Sequence, residues 1–134
     1  MANWYGTART NYFRVKDPTA FKAWIESLPS CVLIEQDGGL FGFYSTDDSG
    51  GFPCDRFDEA SGEHVDFELA DELVPHLAEG EVAILTQAGA EKVRYITGYA
   101  LAITWDGRST AVDLDDIYDK VQAEFGITPT KAYY

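Results

Sequence analysis

Residues 81–113 read EVAILTQAGAEKVRYITGYALAITWDGRSTAVD, and the fold class turns on how that run divides. Glu81 to Gln87 and Lys92 to Trp105 are rich in β-branched and aromatic residues, which predicts a long hairpin turning at Ala88-Gly89-Ala90. On the second strand Val93, Tyr95, Thr97, Tyr99, Leu101, Ile103 and Trp105 share one face, since side chains alternate along a strand. The other face holds Ile96, Gly98, Ala100 and Ala102. Small residues there let a helix approach closely, and Gly98 can also mark a bend or bulge. Asp106-Gly107 predicts a tight turn into Ser109–Asp113.

Working outward, Asn11 to Lys16 alternates and reads as a first strand. Asp17-Pro18 opens a helix, with Asp at the N-cap and Pro at the first helical position. Its stripe is Phe21, Trp24, Ile25 and Leu28, and Pro29 ends it. Cys31–Gln36 and Leu40–Thr46 predict a hairpin around Asp37-Gly38-Gly39. Asp47 to Gly51 reads as a loop, Phe52–Asp58 as a short strand weakened by Pro53, and His64–Leu69 as a strand with Val65, Phe67 and Leu69 on one side. A brief helix is expected over Asp71–Ala78, closed by Gly80. A last one is expected over Leu114–Phe125, closed by Gly126, with Leu114, Ile117, Tyr118, Val121 and Phe125 as its buried stripe and Asp113 or Asp115 as its cap. Residues 127–134 read as an irregular tail. The sum is one α+β domain over 1–134: a mainly antiparallel sheet with about three helices packed on one face.

Charge is the second informative feature. The 134-residue chain has a net charge of −13. Between Asp47 and Glu81 twelve carboxylates face a single cation, Arg56, whereas residues 1–30 carry a net +2. Such polarity bears on partners and association rate, not on fold. An acidic surface repels nucleic acid and anionic membrane, so direct binding to either is disfavoured. Hydrophobic content of 46% and aromatic content of 14% exclude an acidic disordered chain. The first residues lack the charged and apolar regions of a secretory leader, and no apolar run nears the roughly 20 residues of a spanning helix. A cytoplasmic protein with unpaired Cys31 and Cys54 is the expectation.

No catalytic motif competes with the charge. Asp113-Leu114-Asp115-Asp116 fails the calcium-loop pattern, because Ile117 and Tyr118 stand where a ligand and Gly are needed. His64, His76, Cys31 and Cys54 show none of the tight zinc spacings, so neither metal nor cofactor is expected. A Cys–His nucleophilic pair is conceivable from those four residues, since a thiolate needs only an adjacent base. An apolar pocket lined by Trp24, Tyr95, Tyr99 and Trp105 would make a small-molecule or peptide-binding domain. The aromatic ends, Asn3-Trp4-Tyr5 and Tyr133-Tyr134, suit either a sheet edge or a partner.

The segments Asn3–Arg9, Asn11–Asp17, Leu77–Ala83 and Leu114–Tyr118 resemble those of small uncharacterised acidic proteins of bacterial plasmids and integrative elements. That resemblance implies no activity or catalytic residue. In kind, without a shared motif, the chain is similar to antirestriction and anti-CRISPR proteins, several of which occupy a nucleic-acid groove as phosphate mimics. The expectation is therefore a non-enzymatic inhibitor or modulator of a nucleic-acid-binding protein or nuclease complex. Its contact residues would be Asp47, Asp48, Asp55, Asp58, Glu59, Glu63, Asp66, Glu68, Asp71 and Glu72, paired with Arg and Lys in the partner's basic groove. Asp66 and Glu68, alternating on one strand, would stand about 7 Å apart, on the order of a phosphate spacing.

Overall fold

The structure is a computed structural model describing residues 4–91 and 95–131, with Tyr95 described by its backbone alone. Asn3, Lys92, Val93, Tyr133 and Tyr134 therefore fall outside the described residues. Among the described residues eight strands and three α-helices follow in the order β1 (Trp4–Thr10), α1 (Pro18–Ser27), β2 (Cys31–Gln36), β3 (Leu40–Ser45), β4 (Asp55–Asp58), β5 (Glu63–Asp66), α2 (Leu69–Leu73), β6 (Val82–Glu91), β7 (Tyr95–Thr104), β8 (Ser109–Asp113) and α3 (Asp116–Phe125). Six strands form an antiparallel sheet ordered β2-β3-β1-β6-β7-β8, and β4-β5 is a separate hairpin. The α+β class read from the sequence is the class observed.

The central hairpin is longer than expected. Ala88, Gly89 and Ala90 are no turn: they continue β6, opposite Gly98, Thr97 and Ile96 on one side and Thr7, Gly6 and Tyr5 on the other. Small size here serves close packing, since a Cβ on Gly89 would strike the Trp4 ring. Gly98 marks neither bend nor bulge, because the β6–β7 register runs unbroken through it. It accommodates Leu114, whose side chain would lie 2.9 Å from an added Cβ.

The first strand is also displaced, to Trp4–Thr10. Residues 11–16 alternate in sequence, but their polar backbone groups go elsewhere. The β1–β3 register gains one residue between Arg9↔Tyr44 and Phe13↔Phe41. Asn11 sits at that step, and its side chain stands in the ladder, accepting from the Ile84 N–H (2.7 Å) and donating to the Val82 carbonyl (3.0 Å). The Arg14 N–H donates to the Glu81 carboxylate at 2.6 Å, and the Lys16 N–H to the His76 carbonyl.

The core lies on one side of the large sheet. Phe13, Phe21, Phe43, Leu73 and Leu77 are fully buried, each contributing about 1.5–3 kcal/mol relative to exposure. Phe13 and Phe21 meet edge to face at 5.8 Å. Helix α1 starts as its sequence predicts, with Asp17 accepting from the Thr19 and Ala20 N–H groups ahead of Pro18, and it buries Phe21 and Ile25. Strand β5 stops at Asp66 and α2 begins at Leu69, so the expected strand to Leu69 and helix from Asp71 both shift. Leu69 is buried whereas Val65 is exposed, which breaks the single apolar face expected of Val65, Phe67 and Leu69. Pro75 lacks the N–H that an α-helix needs, and the chain tightens into a 3-10 turn over Val74–His76.

Helices α1 and α2 cover the core side, as the one-face reading anticipates. Leu114, at the entry to α3, pairs with Gly98 and therefore lies on the opposite side. Helix α3 buries none of its residues, against the expectation that its stripe is buried. Asp115 stands at its N-cap position but makes no side-chain cap hydrogen bond, against the expectation of a cap from Asp113 or Asp115. A reciprocal turn precedes the helix instead, in which Asp113 accepts from the Asp115 N–H and Asp116 accepts from the Asp113 N–H, both at 2.8 Å. Gly126 closes it in the left-handed region, φ 69°.

Candidate functional site: an acidic arm

The β4–β5 hairpin gathers the densest charge. Its register sets Asp55 opposite Asp66, Arg56 opposite Val65, Phe57 opposite His64, and Asp58 opposite Glu63. Directly opposed residues share a face, with Cα atoms about 4.5–5.5 Å apart. Both ends of the arm thus carry like-charged pairs, which destabilise a sheet. The two pairs stand three residues apart along the strands, roughly 10 Å, and so fall on opposite faces. Glu59 sits in the connecting turn, where the Asp58 carboxylate accepts from the Ala60 N–H at 3.4 Å.

The arm's one arginine is otherwise engaged. Arg56 makes a two-pronged contact with Glu72, at 2.8 and 2.7 Å, and lies 4.4 Å over the Phe67 ring. The Glu72 carboxylate also accepts from the Trp24 indole at 3.0 Å, which ties the arm's base to α1 and α2. The Arg56 hydrogen bonds hold the Glu72 carboxyl below its usual range, opposed by desolvation. Glu72 is consequently spent inside the molecule, while Asp55, Glu59, Glu63 and Asp66 are exposed and Asp58 half-exposed.

The other expected contact residues surround the arm. Asp47 and Asp55 line one groove of about 220 Å³ beside Pro53 and Cys54. The Asp47 carboxyl is lowered by the Ser49 N–H and hydroxyl hydrogen bonds. The loop carrying Asp47 and Asp48 is seated by glycines: Gly6 and Gly50 leave no space for a Cβ on either, and the Trp4 indole donates to the Ser49 carbonyl at 2.9 Å. Glu68 is not on a strand with Asp66. It precedes α2, so the row of phosphate spacing read from that pair is absent. Glu68 borders a 200 Å³ groove with Cys54, Gln87 and Tyr99, and Asp71 borders a 370 Å³ cavity with Ala70, Leu101 and Ser109.

The aromatic residues named for a ligand pocket do not converge. Trp24 stacks on His76 (5.1 Å) within the core, Trp105 packs on the core with Arg108 at its ring, and Tyr95 is described only by its backbone. Tyr99 lines two grooves that hold neither Trp24 nor Trp105. Burial pushes the Cys31 thiol up to about 11, the opposite of an activated nucleophile. Cys54 is exposed, and among the described residues no hydrogen bond joins either cysteine to a histidine. His64 faces Phe57 and Asp55, and His76 is depressed by burial, opposed by Asp17 and Glu72. Among the described residues no group of three or more His, Cys, Asp or Glu side chains could hold a metal ion, and no helix is long and apolar enough to cross a membrane.

Sequence reasoning missed the cross-strand pairing itself. The five-residue spacing of Asp58 and Glu63 around a four-residue turn with Gly62 carried the signal. No protein-family model, no curated protein and no solved structure matches the chain.

Proposed function

We propose that this is a non-enzymatic acidic binding protein that inhibits or modulates a nucleic-acid-binding partner, the arm's carboxylates taking the place of backbone phosphates. The observation that carries this reading is the pairing of Asp55 with Asp66 and of Asp58 with Glu63 on an arm whose one arginine is committed to Glu72. Opposed like charges cost folding stability, and their repulsion is relieved when Arg or Lys side chains arrive. Because the pairs point to opposite faces, the arm suits insertion into a cleft with basic walls better than contact with a flat surface. Asp47, Asp48, Glu68 and Asp71 extend the negative field around its base. A nuclease complex of a cellular defence system, acting in the cytoplasm, is the partner class this chemistry fits.

The test is capture from a bacterial lysate on the immobilised chain at low and high salt, with mass spectrometry of the bound fraction and DNA as competitor. The expected result is a nucleic-acid-binding complex that DNA displaces and that is lost near 1 M salt, where screening acts within about 3 Å. Capture that withstands both high salt and the D58K/E59K/E63K substitution would reject the reading.

A further inference from the structure

The sheet divides the molecule by chemistry. Helices α1 and α2 lie on one side, and the arm joins them there through Glu72. The other side presents Tyr44, Ile84, Ala88, Ile96, Gly98 and Val112, and among the described strand residues projecting there Arg9 is the one charged group. No described helix covers it: Ile96 is 63% exposed and Val112 58%. Beside it stands α3, whose entry residue Leu114 touches this face at Gly98 yet remains 54% exposed, with Phe125 at 66%. An apolar floor and an apolar ridge, both uncovered, thus belong to one chain.

We propose that a second copy of this chain covers the bare face, in a two-fold dimer where each copy lays α3 on the other's sheet. Three observations select that occupant. Floor and ridge are both apolar and exposed, and a two-fold axis uses each twice, so the contact closes at two chains. Among the described strand residues this face carries Arg9 and no carboxylate, so it can receive a second copy's α3, which with its N-cap bears Asp115, Asp116, Asp119 and Glu124 and would be repelled by an acidic surface. The size suffices as well: six strands spaced about 4.8 Å apart give roughly 500 Å² in projection before side-chain relief, and α3 adds to it, against about 800 Å² per partner in a standard interface.

The experiment is sedimentation velocity with light scattering on the full chain from about 1 to 200 µM, compared with Ile96→Asp, Val112→Asp and Phe125→Asp. Dimer mass is expected for the wild type, with dissociation weakened by salt, since screening relieves repulsion between two acidic copies. Each substitution should raise the dimer dissociation constant at least about 100-fold, with an unchanged far-ultraviolet circular dichroism spectrum. Phe57→Asp, on the arm, should leave the dimer intact. A melting temperature that rises with wild-type concentration supports the dimer even if a variant fails to fold. Single-chain mass throughout, growth beyond two chains, or a dimer broken by Phe57→Asp but not by Ile96→Asp overturns the proposal.

Discussion

The acidic arm and the bare sheet face lie on opposite sides of one sheet and answer oppositely to water and salt. The arm exposes charge that folding leaves unneutralised, and the face exposes apolar surface that folding leaves unburied. Each gives up local stability that the rest of the fold supplies, from the phenylalanine cluster around Phe13, Phe21 and Phe43. The lesson is that a small domain can hold two incompatible surfaces when a sheet separates them.

The largest effect that would break this comparison is charge reversal on the arm. D58K/E59K/E63K should weaken partner binding on the order of 100-fold or more, about 3 kcal/mol, while self-association stays the same or tightens. The same triple change at Asp113, Asp119 and Glu124 should do far less to partner binding. Isothermal titration against the captured partner reads both. Equal losses would show that overall charge, and not the arm, is recognised.

Next in size is the arm's anchorage. Arg56→Ala removes the two-pronged contact to Glu72 and the stacking on Phe67. With both partners about one-third exposed, a loss of about 1–2 kcal/mol is expected in urea unfolding. Faster amide exchange should be confined to residues 55–66, and its spread across the large sheet would contradict a hinged arm.

Acid should then separate the arm's base from the bare face. The folded-state pKa of His76 lies below 6.5, so the unfolded chain binds the proton first and stability falls as pH drops below about 6.5. Glu72 is lowered below 4.5, so its contribution is complete above that value and is lost as pH falls through its folded pKa. Urea midpoints from pH 8 to pH 5 should decline, and His76→Gln should flatten that slope. The smallest expected effect is Asp66→Asn, which relieves repulsion with Asp55 and should stabilise the chain by a few tenths of a kcal/mol. Destabilisation would mean the pair is not under electrostatic strain.

Local chemistry made much of this legible in the sequence. Asp17-Pro18, Asp37-Gly38-Gly39, Asp106-Gly107 and Gly126 all punctuate the fold as read, because caps and turns depend on adjacent residues. What failed depended on distant partners. Asn11 satisfies a ladder about seventy residues away, and the glycine at 89 yields to the Trp4 ring, so neither could announce its role by local pattern. The stripe on α3 was legible as amphipathic, but periodicity says that a face wants cover without saying which chain supplies it. On and around the arm, ten acidic residues were legible as charge. That Glu72 is consumed by Arg56, and that four of the others oppose one another across strands, required the pairing register.

The reciprocal turn at Asp113 and Asp116 has a consequence for growth. Strand β8 is a rim of the sheet, and since the Leu114 N–H reaches inward to Gly98, the Asp113 N–H points away from β7. The Asp116 carboxylate occupies that N–H, and so stops a foreign strand from zipping on at this position. Two adjacent carboxylates repel any acidic newcomer as well. The molecule is blunted against edge-to-edge fibre formation beside the exposed Val112 and Leu114.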